Sequence, residues 1–327
     1  MTVLVTGAAG FIGAAVCKRL LARNERVEGV DNFNAYYDPA LKEARAAQLD
    51  IHRGFTLHRL DIAEPAPLAA LVAELQPTTV VHLAAQAGVR YSIDNPFAYE
   101  RSNLAGHLSV LEACRHAADA KGGRAPQLVY ASSSSVYGER PIDGPFRETD
   151  ALATPASLYA ATKRAGELMS ATYSQLYGLS QTGLRFFTVY GPWGRPDMAV
   201  YAFTRKILGG VPIEVYGQGD MARDFTYIDD IVDGVMGVIG APAAPGEHRL
   251  YNIGDSRPIG LMRMIEVLES AIGREAQKIF LPKQPGDVGA TYADISRLRA
   301  LTGYSPQVTL EEGLPRFVDW YRAFHEV

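Results

Sequence analysis

The chain opens on a short apolar run, Val3-Leu4-Val5-Thr6, which turns directly into Gly7-Ala8-Ala9-Gly10-Phe11-Ile12-Gly13 and then into an amphipathic stretch through Val16 and Leu20. Three glycines between a strand and a helix constrain the fold more than any other feature. Glycine permits a tight turn, close approach of the backbone to a pyrophosphate, and close packing of helix on strand. The helix N-terminus adds N–H groups without intrahelical partners and a partial positive charge. The spacing is GxxGxxG, one residue longer in the turn than GxGxxG. With 31 glycines in 327 residues the pattern alone says little, and its strand–turn–helix setting carries the inference. Asp31 ends the second strand-like run. A carboxylate there accepts both ribose hydroxyls of an adenosine and repels a 2′-phosphate, which favours NAD over NADP. Asp61, at the end of the third strand in RLDI, is a candidate adenine contact or a turn aspartate.

The rest of the first half continues the same rhythm. Strand-like runs fall at Val3–Thr6, Arg26–Val30, Phe55–Leu60, Thr78–Leu83, Gln127–Ala131 and Thr182–Val189, with amphipathic stretches at Pro67–Leu75, Phe97–Ala117 and Ala156–Tyr177. Alternation of this kind predicts βαβ units and a Rossmann-type, doubly wound parallel sheet covered on both faces. After Tyr190 prolines and glycines punctuate short elements and the alternation is lost. The expected organisation is a dinucleotide-binding domain over 1–189, rejoined by about 226–254 through Asp229–Ile239 and Tyr251–Gly254. A smaller α/β substrate-binding domain then takes 190–225 and 255–327.

Composition narrows the class. A length of 327 residues allows about two domains. The balance of 32 basic and 36 acidic residues gives a net charge of −4 without a block of like charge, which argues against a nucleic-acid or membrane-surface partner. No apolar run approaches the ~18 residues of a membrane span. Cys17 and Cys114 stand in unrelated contexts, as expected of a reduced cytoplasmic protein rather than a disulfide scaffold. Seven scattered histidines without HxH or HExxH spacing, and no CxxC, predict no metal site.

A second constellation carries chemistry. Tyr159-Ala-Ala-Thr-Lys163 lies in a helical stretch, which puts phenol and ammonium on one face, one turn apart. A phenol near pKa ~10 is a poor base at pH 7, and nearby cations favour its phenolate form. Ser132-Ser133-Ser134-Ser135 follows the apolar run LVYA, so its hydroxyls fall at the C-terminal end of a strand, where open α/β sheets bind ligands. Alone, such a cluster is an ordinary polar loop. Together with the glycine turn and Asp31 it points to hydride transfer at a carbinol carbon, with the phenolate taking the hydroxyl proton.

These motifs closely resemble the extended short-chain dehydrogenase/reductase superfamily, and within it the nucleotide-sugar epimerases, over essentially the whole chain. The resemblance implies Tyr159, Lys163 and Ser133 as catalytic residues. It implies NAD held by Gly7, Gly10, Phe11, Ile12, Gly13, Asp31, Asn32, Asp61, Ile62, Leu83, Ala84, Ala85 and Asn103 together with Tyr159 and Lys163. The segments LRFFTVYGPWGRPDMA (184–199), GDMARDFTYIDDI (219–231), PGDVGATYAD (285–294) and ASSSSVYG (131–138) look like those of UDP-glucuronate 4-epimerases. That likeness implies a UDP-sugar substrate, UDP-glucuronate or UDP-galacturonate, bound by Ser133, Ser134, Ser135, Tyr159, Thr188, Arg195, Arg223 and Asp287. It also implies a homodimer joined through helices near 97–117 and 157–177.

Sister enzymes of the superfamily narrow the expected chemistry. The 4,6-dehydratases carry Asp-Glu after the catalytic Thr, and UDP-glucuronate decarboxylases carry Glu just before VYG, whereas this chain has Ser134 and Ser135. Thr188 stands where galactose-type epimerases tend to have Asn. Serine and threonine hydroxyls suit a substrate carboxylate without adding like charge. Gln284 replaces an arginine that contacts phosphate in many relatives, so which cation takes over that contact is open. The expected reaction is NAD-dependent oxidation at C4, rotation of the 4-keto sugar and re-reduction from the other face. The alternatives are UDP-glucuronate decarboxylation, or 4-epimerisation of UDP-glucose or UDP-N-acetylglucosamine. A catalytically inert NAD-binding protein is a different class, whose signature would be loss of Tyr159 or Lys163.

Overall fold

The computed structural model describes residues 1–119, 125–139, 144–282 and 289–327. Seven strands form the main sheet: β1 (Thr2–Thr6), β2 (Arg26–Asp31), β3 (Phe55–Arg59), β4 (Thr79–His82), β5 (Gln127–Ser133), β6 (Gln181–Phe186) and β10 (His248–Ile253). All their pairings are parallel, in the order β10-β6-β5-β4-β1-β2-β3. This is a Rossmann-like doubly wound sheet. The order reverses between β1 and β4, which opens a crevice above their C-terminal ends.

Strand residues alternate between two cores. Leu4, Val80 and Leu128 join the side covered by α3 (Pro65–Leu75) and α6 (Gly106–Asp119), where Leu68, Val72 and Leu111 are buried. Val3, Val5, Val81 and Val129 face the side of α1 (Phe11–Ala22), α2 (Ala40–Asp50) and α9 (Ile228–Ile239). Burial from both sides explains why the strands read as continuous apolar runs.

The remaining elements form a second layer beyond the strand ends. β9 (Ala222–Tyr227) pairs with β7 (Thr188–Tyr190), β11 (Pro258–Gly260) and β13 (Ala290–Thr291), while β8 (Ile213–Tyr216) pairs with β12 (Lys278–Leu281). Helices α8 (Ala199–Leu208), α10 (Leu261–Ile272), α11 (Ser296–Thr302) and α12 (Leu310–His325) complete it. The last is started by a reciprocal capping box between Thr309 and Glu312. The chain returns from this layer to the main sheet through α9 and β10.

Two segments differ from the sequence expectation. The run Thr182–Val189 is two strands, because the Phe187 N–H bonds to Ile253 O at 3.1 Å and the chain then leaves the main sheet to pair with β9. The stretch Phe97–Ala117 is not one helix. Short turns α4 (Tyr91–Asp94) and α5 (Pro96–Tyr99) lead into a π-turn at Glu100–Ala105 before α6. By contrast, the later helix is continuous as α7 (Leu158–Tyr177). Ser157 caps its start by accepting from Ala160 N at 3.1 Å, and Gly178 at φ 71° ends it.

Candidate active site

The crevice is a cleft of about 790 Å³ running from the glycine turn to the second layer. At one end Gly7 takes φ 74° and its N–H bonds Val30 O at 2.7 Å. A Cβ on Gly13 would stand 1.9 Å from Gly7 O, and one on Gly7 would stand 2.8–2.9 Å from the Leu83–Ala84 backbone. Only glycine fits at these two positions. α1 then begins at Phe11 without a side-chain cap and without an acidic residue in its first turn, so its leading amides are left for an anion. The Asp31 carboxylate accepts from Ala9 N at 3.1 Å and Phe33 N at 2.8 Å, which fixes both oxygens and leaves lone pairs for ribose hydroxyls. A bare amide turn followed by a buried carboxylate fits a dinucleotide with an unphosphorylated adenosine ribose. Asn32, Asp61, Ile62, Leu83, Ala84 and Ala85 line the same end. Asp61 is tied to Arg101 at 3.1 Å and to Ala63 N at 2.9 Å, so it also caps its own turn.

Asn103 lies in the π-turn, where its amide is hydrogen-bonded within the protein. Oδ1 accepts from Gln86 N at 2.8 Å, while Nδ2 donates to Gln86 O and to the Thr162 hydroxyl, both at 3.0 Å. It acts on the cleft through the 83–88 loop, which it ties to α7. The wider π-turn carries this side chain at a depth that an unbroken helix would not match.

In the middle of the cleft, β5 and α7 bring Ser133, Ser134, Ser135, Tyr159 and Lys163 together. Ser133 Oγ accepts from Ser135 N at 3.2 Å and Ser135 Oγ at 2.9 Å, which starts a tight turn over Ser134–Tyr137. Lys163 Nζ donates to Ala131 O at 2.8 Å. Burial pulls its pKa down to about 8, against the charge of Glu167 one turn further along. Burial raises the Tyr159 phenol above its ordinary value, while the Ser133 hydroxyl and the Arg195 guanidinium pull it back and Asp197 pushes it up. The Lys163 ammonium, one turn along the helix from the phenol, is turned to the Ala131 carbonyl.

Arg195 reaches this point from the loop after β7. Its Nε donates to Asp197 Oδ1 at 3.0 Å and its Nη2 to Oδ2 at 2.5 Å, and Tyr36 OH donates to the same Oδ2 at 3.0 Å. Thr188 and Arg223 line the far end of the cleft. Arg223 there donates to Ala222 O at 2.8 Å and Gly289 O at 3.2 Å. Asp287 and Gln284 lie outside the described residues. Tyr36, Lys42 and Asp197 line the cleft without having been singled out in the sequence. Asp197 stands inside the GRPDMA segment. In α2, the buried positions Leu41, Lys42, Arg45, Ala46 and Leu49 follow the helical period, so two cations on an apolar face were the available signal.

Behind the cleft floor lies a buried ion pair. Arg185 Nε and Nη2 bind both Glu167 oxygens at 2.8 Å, Ser132 donates to Glu167 Oε1 at 2.6 Å, and the guanidinium stacks 4.8 Å from the Tyr137 ring centre. Beside it His82 pairs with Thr6 Oγ1 at 2.7 Å and His107 with Ser170 Oγ at 2.9 Å; burial holds both rings neutral. Among the described residues no helix is long and apolar enough to cross a membrane.

Residues 3–254 match the NAD dependent epimerase/dehydratase family. UDP-glucuronate 4-epimerase 5 of Arabidopsis thaliana is 47% identical over 99% of this chain and 76% of its own length. Among solved structures, UDP-glucuronic acid 4-epimerase from Bacillus cereus in complex with UDP-glucuronic acid and NAD superposes with a TM-score of 0.91 at 36% identity, covering 99% of this chain and 100% of that one. UDP-glucose 4-epimerase from Thermotoga maritima gives 0.87 at 28% identity, over 99% and 100%.

Proposed function

The chain belongs to the NAD dependent epimerase/dehydratase family, and from that premise we propose that it interconverts UDP-glucuronate and UDP-galacturonate. One observation carries the choice of sugar. Ser134, Ser135 and Thr188 put hydroxyl donors into the same cleft as Tyr159, and Asp197, the carboxylate acting on that phenol, is already bound by Arg195 and Tyr36. Such a site accepts a substrate carboxylate, and among the described residues the hydrogen bonds of Ser133 Oγ are to Ser135 rather than to an acid that could drive elimination.

Tyr159 holds and moves the C4 hydroxyl proton, with Ser133 placed to relay it. Gly7, Gly10, Phe11, Ile12, Gly13, Asp31 and Asn32 would hold the dinucleotide, and Lys163 would hold its nicotinamide ribose. NAD, when bound, supplies a hydride acceptor at C4 that gives the same hydride back, so it is required without being consumed. Between the two transfers the 4-keto sugar turns about its bonds to the diphosphate and presents its other face to Tyr159. Arg223 and Arg195 serve as cations for the diphosphate and the sugar. The region 190–225 with 255–327 is the nucleotide-sugar side, and 1–189 with 226–254 the dinucleotide side.

We further propose a homodimer through the outer faces of α5, α6 and α7, where Phe97, Leu108, Leu168 and Leu176 are exposed. Light scattering checks this as a doubled mass. The buried thiols of Cys17 and Cys114 suit a reducing, cytoplasmic setting.

Proton NMR of the protein with UDP-glucuronate and NAD, following sugar H1 and H4, tests the central reading. A galacto-configured uronate persisting beside the starting sugar at equilibrium is the expected result. Accumulation of a UDP-pentose with loss of CO2 would make the chain a decarboxylase. No change with UDP-glucuronate but turnover of UDP-glucose would reassign the sugar.

A further inference from the structure

Two cations on α2 are buried one helical turn apart, Lys42 at 6% exposure and Arg45 at 2%. Among the described residues their hydrogen bonds go to carbonyl, amide and phenol oxygens, and none to a carboxylate. Burying a cation without an acid partner is costly, and an apolar side chain would fill the space without that penalty. What the two cations hold is therefore informative. Each grips one of the two segments that fix Asp31. The Asp31 carboxylate accepts from Ala9 N at 3.1 Å on Oδ2 and from Phe33 N at 2.8 Å on Oδ1. Arg45 Nη1 donates to Ala9 O at 3.2 Å, on the first segment. Lys42 Nζ donates to Asn34 O at 2.9 Å and Asn34 Oδ1 at 2.7 Å, one residue beyond Phe33 on the second. That second segment needs holding, since Phe33 takes φ 51°, a left-handed conformation uncommon for a bulky residue. Asn34 N also donates to Asn32 Oδ1 at 3.1 Å, which ties the same turn a second time. Arg45 reaches Trp193 O at 2.6 Å and Gly194 O at 3.1 Å as well, whereas both bonds of Lys42 go to Asn34. Lys42 thus isolates the hold on the turn.

We infer that Lys42 is a positioning residue for cofactor selection: by pinning Asn34 it holds the 31–34 turn, and with it the Asp31 carboxylate, in the orientation that takes a ribose diol and turns away a 2′-phosphate. The inference rests on Asp31 facing the adenosine ribose, as proposed above. A cation here could act in two ways, and they have opposite signs. Lys42 lines the cleft, so an ammonium acting only by its charge would attract a 2′-phosphate, and its loss would strengthen the preference for NAD. An ammonium acting through the turn does the reverse. Its loss lets the Asp31 carboxylate swing away from the ribose, which weakens the preference. A general loosening of α2 would weaken NAD and NADP alike and leave their ratio where it was.

The test is exchange on the NAD-loaded protein. Each variant is dialysed to equilibrium against mixtures of NAD and NADP, and the bound nucleotides are quantified by chromatography, which gives the affinity ratio directly. Asp31→Ala is expected to lower the preference for NAD and sets the full effect of losing the carboxylate. Lys42→Met should lower that preference by about tenfold. The double variant Lys42→Met/Asp31→Ala should go no further than Asp31→Ala alone, within about twofold. An unmoved or raised preference in folded Lys42→Met, or effects that add in full, overturns the inference. If Lys42→Met does not fold, Asn34→Ala decides. It leaves the ammonium in place, removes the shorter of its two bonds, and should lower the preference in the same direction by less; no fall overturns the inference. A ratio that Asp31→Ala leaves unchanged overturns the reading of Asp31 and the inference with it, whereas one moved by Asp31→Ala and not by Lys42→Met overturns the inference alone. Because no sugar nucleotide is present, the result stands apart from the identity of the product in the NMR experiment.

Discussion

At the dinucleotide end of the cleft, Gly7, Gly10 and Gly13 lie within one turn and shape the site with backbone alone. At the sugar end, Arg195 is set by residues far away in the chain, with Arg45 reaching Trp193 across 148 positions and Tyr36 reaching Asp197 across 161. The first end needs the absence of side chains, and its substitutions fail by collision. The second needs side chains that satisfy carbonyls and carboxylates, and its substitutions fail by release. Both ends meet on β5 and α7, over the buried Glu167–Arg185 pair.

That shared floor gives the largest expected effect. Glu167→Gln leaves Arg185 charged and buried with one partner weakened, and its Nη1 already has no hydrogen-bond partner among the described residues. Breaking a buried pair from one side costs about 3–5 kcal/mol, to be read by urea unfolding. The same change removes the charge that holds the Lys163 pKa up near 8. The alkaline limb of the turnover profile should therefore move to lower pH, since the ammonium is lost sooner. A variant as stable as the parent would mean that the two ends stand independently.

Gly13→Ala tests the collision side. Its methyl would fall 1.9 Å from Gly7 O, so the turn must open. Overpacking of this kind costs about 1–3 kcal/mol or more. NAD affinity should drop on the order of a hundredfold, measured by titrating the stripped protein. Retention of NAD at full affinity would remove the contrast between the ends.

This asymmetry decides what could be read from the sequence. A glycine turn is local: the strand before it, the helix after it and Asp31 at the next strand end are recognisable from a few dozen residues, and the parallel sheet follows from the alternation of apolar runs. That Tyr159 and Lys163 share one face of a helix at the cleft was legible for the same reason, since they are one helical turn apart. The hold on Arg195 was not, because no spacing in the chain announces that α2 will touch a loop near 193. Arg45 looks like a surface cation until the packing of α2 is known. Asn103 was recognised by motif, but its work on Gln86 and Thr162 depends on a π-turn that helical periodicity does not reveal. The single strand expected over Thr182–Val189 failed at Phe187, where the apolar pattern continues although the chain changes sheets.

The floor under the dinucleotide end also predicts a pH response. Burial holds His107 down to about 3 and His82 well below its usual value. Below about pH 6.5 the unfolded chain binds protons on these rings and the folded protein does not. Stability should therefore be intact above that pH and fall on acidification by about 1.4 kcal/mol per pH unit for each histidine. Urea unfolding at pH 6.5 and pH 5 measures this, and His107→Asn should remove roughly one histidine's share of the slope. A flat profile would mean that the rings titrate freely.

The smallest expected effect bears on the release side of the comparison and is read in product ratio rather than in rate. Oxidation at C4 turns a uronate into a β-keto acid, which loses CO2 when its carboxylate stands perpendicular to the ketone. An epimerase must keep that carboxylate near the ring plane while the sugar turns, and Ser133, Ser134, Ser135 and Thr188, which line the cleft, are the hydroxyls we propose for that hold. One hydrogen bond to a charged group contributes about 1.5–3 kcal/mol. Thr188→Ala or Ser134→Ala should raise the ratio of UDP-pentose to epimer on the order of tenfold, with the fold and bound NAD unchanged. Chromatography of the nucleotide sugars gives that ratio directly. If it does not move in either variant, the carboxylate is held by backbone, and the sugar end is built by the same means as the glycine turn.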